Sequence, residues 1–298
     1  HALTLLAAHL DAETAARAAA RKVDPQARAG MSPDTAAFYR KKAGQLVRGL
    51  GNETPLRELT TGRVRSYWQT RQKEGASAHT VDKEVGALRV ALHLAMEHGL
   101  WSGDLRALKP AGLTADYKPR TRWLTPEEVE QLATKLPPGR WAAVAYACAT
   151  GAESSALFRA QREDVDLRRN TVRVRGEKTA QRARVVPIVL DVCRELLRRA
   201  LKLADGSEGK LFRPWLGMRW DLTKACDALK IARCSANDLR RTFAQWHHNA
   251  GISNHLLKDA MGHSTTNMLD RVYARTSPAE LAALMRQQMG APKKGRKK

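Results

Sequence analysis

Apolar positions recur at helical spacing through the first hundred residues. Val81, Val85, Leu88, Leu92 and Ala95 step by four, three, four and three, which stacks them on one face of a helix that opens near Ser77 and closes at Gly99. Upstream, Ser32-Pro33-Asp34 supplies an N-cap, a proline for the first helical position and an acidic first turn, and that helix should end near Leu50-Gly51. Another begins at Thr60 or Thr61 and carries Val64, Tyr67 and Trp68 at helical spacing. The Ala- and Leu-rich residues 2–20 read as helix on propensity alone. The pattern gives four helices, no convincing strand and a set of exposed bases that includes Arg63, Arg65, Arg71 and Lys73.

The pattern breaks at residues 110–122, where Pro110, Gly112 and Pro119 alternate with Lys118, Arg120 and Arg122. This is the natural linker, and its basic residues suit the backbone of a polyanion. Beyond it, Thr125-Pro126-Glu127-Glu128 combines a cap, a proline and a capping-box glutamate. Helices are expected at about 126–136 and 139–150, then at 190–204, 220–230, 236–250 and 253–260. Thr171-Val-Arg-Val-Arg175 alternates with period two, and Ala183-Arg-Val-Val-Pro-Ile188 reads as its hairpin partner, ending at Pro187 or lying at an edge. A last helix runs from Ser277 to Met289, with Leu281, Leu284, Met285 and Met289 as an apolar stripe. The expected architecture is therefore mainly α with a small β-hairpin, an α+β chain. It comprises a helical domain over 1–109, a basic linker over 110–122, a second domain over 123–290 and a basic tail over 291–298.

Composition narrows the partners. Lys and Arg total 52 against 30 Asp and Glu, a formal charge of +22 over 298 residues. With 43 % hydrophobic residues the chain has material for real cores, so the excess charge speaks of partners and not of disorder. Nucleic acid is the commonest polyanion, and the arginines do not gather on one amphipathic face as they would on a lipid-binding helix. No apolar run reaches the roughly 20 residues that cross a bilayer. The start lacks a basic flank before its apolar residues, which argues against a secretory signal, while His1 leaves the true N-terminus open. Cys148, Cys193, Cys226 and Cys234 show no Cys-x-x-Cys spacing and are expected to be free thiols of a reducing cytoplasm, with no metal bound.

Chemistry concentrates between Ala236 and Arg275, where Arg240, His263 and Tyr273 bring together a cation, an imidazole and a phenol. Taken singly, each has an ordinary reading: a surface ion-pair arginine, a helix-capping histidine, a half-buried aromatic. Taken in order, Thr150-Gly151, Gly176-Glu-Lys178-Thr, Asp238-Leu-Arg240-Arg-Thr-Phe-Ala244, Gly262-His263-Ser264 and Arg271-Val-Tyr273-Ala resemble the tyrosine recombinases, the phage-integrase family. The likeness covers about residues 30–290. It implies a helical core-binding (SAM-like) DNA-binding domain followed by the catalytic domain.

The resemblance implies further that Tyr273 attacks a DNA phosphate to form a 3′-phosphotyrosyl link, with no cofactor and no metal. It gives Lys178 the protonation of the leaving oxygen, Arg240 the nonbridging oxygens, and His263 either a hydrogen bond to the phosphate or a part in its proton traffic. Lys118, Arg120, Arg122 and Arg241 are expected on duplex DNA, the chain is expected to form a homo-oligomer there, a tetramer in the synapse, and its setting is a bacterial or phage-type cytoplasm, at the nucleoid.

Two positions depart from the family. Glu153 stands where the family places an arginine, three residues after the threonine of Thr150-Gly151, and Asn237 stands where it usually places a histidine. Loss of a positioned cation costs on the order of 10²–10⁵-fold, and loss of a general base about 10²–10⁴-fold. At about 100° per residue, Arg159 and Arg162 fall on other faces of a helix continuing from position 153, so neither substitutes, and a Glu153–Arg240 salt bridge filling the clamp is the expected consequence. The sequence thus leaves two readings open: a recombinase working at reduced rate, and a recombinase-derived DNA-binding or regulatory protein that transfers no strands.

Overall fold

The computed structural model describes residues 2–23, 30–51, 54–113, 120–177, 179–267 and 269–270. Lys118, Lys178, Tyr273, the Ser277–Met289 stripe and the basic tail lie outside them. The chain divides into two compact units, His1–Lys118 and Pro119–Lys298.

Among the described residues, four α-helices build the first unit: α1 (Ala2–Val23), α2 (Pro33–Leu50), α3 (Thr61–Lys73) and α4 (Ala78–Glu97). Side-chain hydroxyls cap three of them, Ser32 accepting from Thr35 N at 3.2 Å, Thr60 from Arg63 N at 3.3 Å and Ser77 from Thr80 N at 3.2 Å. The apolar stripe of α4 is buried as its spacing predicts, but Glu84 is buried with it. A buried carboxylate must be paired. Tyr67 donates to it at 2.8 Å, Arg71 donates twice at 3.0 and 3.1 Å, and Lys42 lies at 3.4 Å. Burial pushes the Glu84 carboxyl up, yet the bonds from Arg71 and Tyr67 outweigh it and hold it below the usual range. This corrects the expectation that Arg71 is an exposed base. It is only 13 % exposed and is committed to Glu84 and Glu74.

The second unit is organised around α6 (Pro138–Thr150), whose residues from Trp141 to Thr150 are all buried. A helix apolar on every side has to be surrounded. It packs against α8 (Asp191–Leu203) and α10 (Ala236–Asn249), with α5 (Pro126–Leu132), α9 (Met218–Leu229) and α11 (Asn254–Met261) completing the shell. Thr125 and Glu128 form the anticipated capping box, with bonds of 3.2 and 2.9 Å. Gly151 ends α6 at φ +64°, and a Cβ there would sit 2.8 Å from the Phe243 ring, so glycine is required twice over.

After α6 comes a single turn of helix, α7 (Ser154–Leu157), and then an antiparallel sheet in the order β1 (Val165–Asp166), β2 (Thr171–Arg175), β3 (Ala183–Pro187). Thr171 pairs with Pro187 and Arg175 with Ala183. Strand β1, of two residues, is too short to leave a period in the sequence. Pro187 sits at the end of an edge strand, where its missing N–H costs no ladder bond. The observed class is the expected one: mainly helical, with one small sheet.

Candidate active site

Four segments of the second unit meet at one carboxylate. Glu153 follows the Gly151 turn, Arg182 and Arg184 come from the β2–β3 hairpin, Arg240 from the first turns of α10, and His263 from the residue after the Gly262 cap of α11. Arg240 is 6 % exposed. Its Nη1 donates to Gly151 O and, at 2.9 Å, to Glu153 Oε2, while Nη2 donates to Met261 O. The anticipated Glu153–Arg240 salt bridge is therefore present. The Arg182 and Arg184 Nη1 atoms each lie 3.6 Å from the same Oε2.

The three guanidiniums have different freedom. Arg184 spends its donors on backbone: Ala260 O at 2.6 Å, Arg182 O at 3.0 Å and Gly151 O at 3.2 Å. Burial lowers its pKa to about 10, with Glu153 opposing the shift, so it stays charged at neutral pH. Arg240 is likewise held by two carbonyls and Glu153. Arg182, 20 % exposed, is the outermost of the three. Three cations around one carboxylate leave a net charge of +2, so Glu153 weakens this site for anions without reversing its sign.

His263 faces the same cluster. Burial first, then Arg240, Arg182 and Arg184, lower its pKa to about 4, and its buried Nδ1 has no hydrogen-bond partner among the described residues. At neutral pH it is an uncharged imidazole, able to donate or accept a hydrogen bond but not to add a cation. His247, buried against Phe243, is shifted down as well, chiefly by burial. Because the unfolded chain binds protons that these folded histidines refuse, stability should be full above about pH 6.5 and decline as pH falls toward 4. Denaturant midpoints measured across that window should show the decline, and His263→Asn should flatten it without abolishing it, His247 remaining.

Of the other residues singled out by the sequence, Asn237 is exposed on the first turn of α10. Asp238 beside it is buried, accepts from Ser235 N at 2.8 Å, and pairs with Arg120 at 3.1 Å and with Arg241. Arg122 forks onto Glu128 at 2.8 and 2.9 Å and donates to Ala232 O at 3.1 Å. These arginines brace the entry to α5 and α10. Arg159 does not reach Glu153. The helix at that point lasts one turn, and Arg159 pairs with Glu177 at 3.1 Å.

Arg182 and Arg184 are the site residues that sequence reasoning missed, because they reach Glu153 from the hairpin and not from the helix that follows it. The signal for Arg184 was present. Positions 184 and 186 share one face of β3, Val186 is fully buried and Val185 is 60 % exposed, so the alternation points Arg184 inward. Arg182, in the turn before the strand, left no such signal.

A helical second unit with a small sheet, and a carboxylate-filled cluster of arginines beside a depressed histidine, define a site arranged for an anion. A sequence model of the phage integrase family matches residues 122–280, more than half of the 298 residues, and the chain belongs to that family of tyrosine recombinases. It is 25 % identical over 186 residues to the integrase of Salmonella phage P22, covering 56 % of this chain and 47 % of the phage protein. The chain thus spans about half the length of the curated relative it matches. Among solved structures, the fold is similar to the Tn1549 transposon integrase in complex with transposon right end DNA, with a TM-score of 0.67, 17 % identity and coverage of 87 % of this chain and 95 % of that one. It is also similar to the phage lambda integrase tetramer bound to a Holliday junction, with a TM-score of 0.65, 19 % identity and coverage of 81 % and 73 %.

Proposed function

We propose that this chain binds duplex DNA and breaks and rejoins it through Tyr273, at a rate held down by Glu153 and Asn237. The Tyr273 phenolic oxygen attacks the scissile phosphorus as its own proton passes to water, Asn237 being unable to take it; the 5′ oxygen leaves with a proton from Lys178, and the strand stays joined to the enzyme as a 3′-phosphotyrosine. Attack by a 5′-hydroxyl reverses the step and releases Tyr273. Arg240 and His263 bind the nonbridging oxygens. Neutral His263 does so as a hydrogen-bond donor, which adds no charge beside three arginines.

The observation that carries this reading is the Arg240 geometry. A buried guanidinium with two backbone acceptors and one carboxylate is held in place before any phosphate arrives, as electrostatic catalysis requires. The same Glu153–Arg240 bond supports the second reading, a DNA-binding protein without strand transfer, because an entering phosphate must compete with a carboxylate already seated. Both readings place the protein on DNA, in a bacterial or phage-type cytoplasm. There Lys118 and the half-exposed Arg120 serve the backbone while Arg122 and Arg241 stay on their carboxylates, the helical unit over 1–109 serves as the core-binding domain, and copies associate up to a tetramer, the assembly that the lambda integrase forms on a Holliday junction.

Phosphate contacts of this kind give steep salt dependence. If about six to ten phosphates are neutralised, affinity for a duplex should fall by about 10³–10⁵-fold between 50 and 200 mM salt. Fluorescence anisotropy with labelled duplex DNA checks this. Absence of binding at low salt would sink both readings.

A further inference from the structure

We propose that Arg182, on the β2–β3 hairpin, is the second cation that contacts the DNA phosphate in this chain. The inference rests on the DNA-phosphate reading above and adds a residue to it.

The backbone carrying Arg182 is fixed from two sides. A Cβ on Gly176 would lie 2.5 Å from both Arg182 Cβ and Arg182 O, and 2.6 Å from Glu153 Oε1. A Cβ on Gly262, beside His263, would lie 2.5 Å from Gln181 O and 3.2 Å from Arg182 Cα. Any side chain at either position would push the hairpin off the site, so both glycines are contact residues that let residues 181–182 lie against it. Gly262 also has φ +62°, which favours glycine independently.

The guanidinium itself has capacity to spare. Its Nη1 is 3.6 Å from Glu153 Oε2, near enough for attraction and too far for a hydrogen bond. Its Nε is buried and has no acceptor among the described residues. Arg184 and Arg240 are deeper and already bonded to backbone carbonyls, whereas Arg182 is 20 % exposed on the solvent side of the cluster. An oxyanion approaching from solvent meets Arg182 first. Arg182 and Arg240 both lie within 4 Å of the one carboxylate oxygen, so a phosphoryl oxygen near that point would be within reach of both cations.

The test uses the full chain with Tyr273→Phe, which holds DNA uncut, and a duplex that this protein selects from random-sequence DNA. Uncharged methylphosphonate then replaces one phosphate at a time, and affinity is measured for each duplex. Neutralising one linkage should weaken binding, and Arg240→Lys should blunt that sensitivity. Arg182→Ala should remove the sensitivity at the same linkage and lower the slope of log affinity against log salt by about 0.9, while Arg182→Lys keeps the slope. Arg182→Gln serves in its place if the alanine variant does not fold, and folding is verified by thermal melting. An unchanged profile in the Arg182 variants, or a loss at a linkage unrelated to Arg240, overturns the proposal while leaving DNA binding intact. Failure to select any duplex overturns the DNA reading and the proposal together.

Discussion

Glu153→Gln should make the protein less stable and a tighter binder of DNA at once. In the free protein the Glu153 carboxylate lies within 4 Å of Arg182, Arg184 and Arg240, and the last two are 7 % and 8 % exposed. Removing the charge leaves buried guanidiniums facing one another. Breaking a buried pair in this way costs about 3–5 kcal/mol, and the lower end is expected because Arg184 and Arg240 keep their carbonyl acceptors. On DNA the sign reverses. The phosphate then meets no competing carboxylate, and the salt slope should steepen by up to about 0.9, one further phosphate's worth. Urea melts and anisotropy titrations on the same preparation read both effects. Lost stability with unchanged DNA affinity would mean that the ion pair is purely structural and the phosphate goes elsewhere.

Glu153→Arg combined with Asn237→His should raise covalent adduct formation by at least about 10²-fold. Each change restores a group the chemistry uses: a cation for charge developing on the phosphoryl oxygens, and a proton acceptor near neutral pH. The two effects act on one transition state and will not simply multiply. Arg182 already supplies part of the charge in the proposed arrangement, so the gain from Glu153→Arg should sit at the low end of what a missing donor costs. Asn237 is exposed on the first turn of α10, so Asn237→His needs no repacking. Glu153→Arg places a fourth guanidinium among three, so the assay belongs at low temperature with DNA present.

Much of this arrangement was legible in the residues. Caps, prolines and apolar spacing predicted the helices of the described residues to within a few residues, since those signals are local. The exception is α5, expected to reach about 136 but ending at Leu132, where the chain turns before the prolines that open α6. Arg240 and His263 stand out by order and spacing, and the Glu153–Arg240 bond follows from a carboxylate placed beside the clamp arginine. What the sequence did not yield depended on contacts between distant segments. Glu84 hides in an apolar stripe and captures Arg71 from another helix, and Arg182 reaches Glu153 across a hairpin whose approach depends on Gly176 and Gly262. Neither has a periodicity to read.

The central claim is that the clamp, though filled by Glu153, still serves Tyr273. It is tested most directly by incubating the protein with a nicked suicide duplex carrying its selected site, from which a cleaved fragment diffuses away and leaves any covalent link trapped. The account predicts a slowly accumulating protein–DNA adduct that is absent with Tyr273→Phe. No adduct from the unaltered chain on a duplex that it binds tightly would contradict it, and the protein would then be a DNA binder that has kept the site without the reaction.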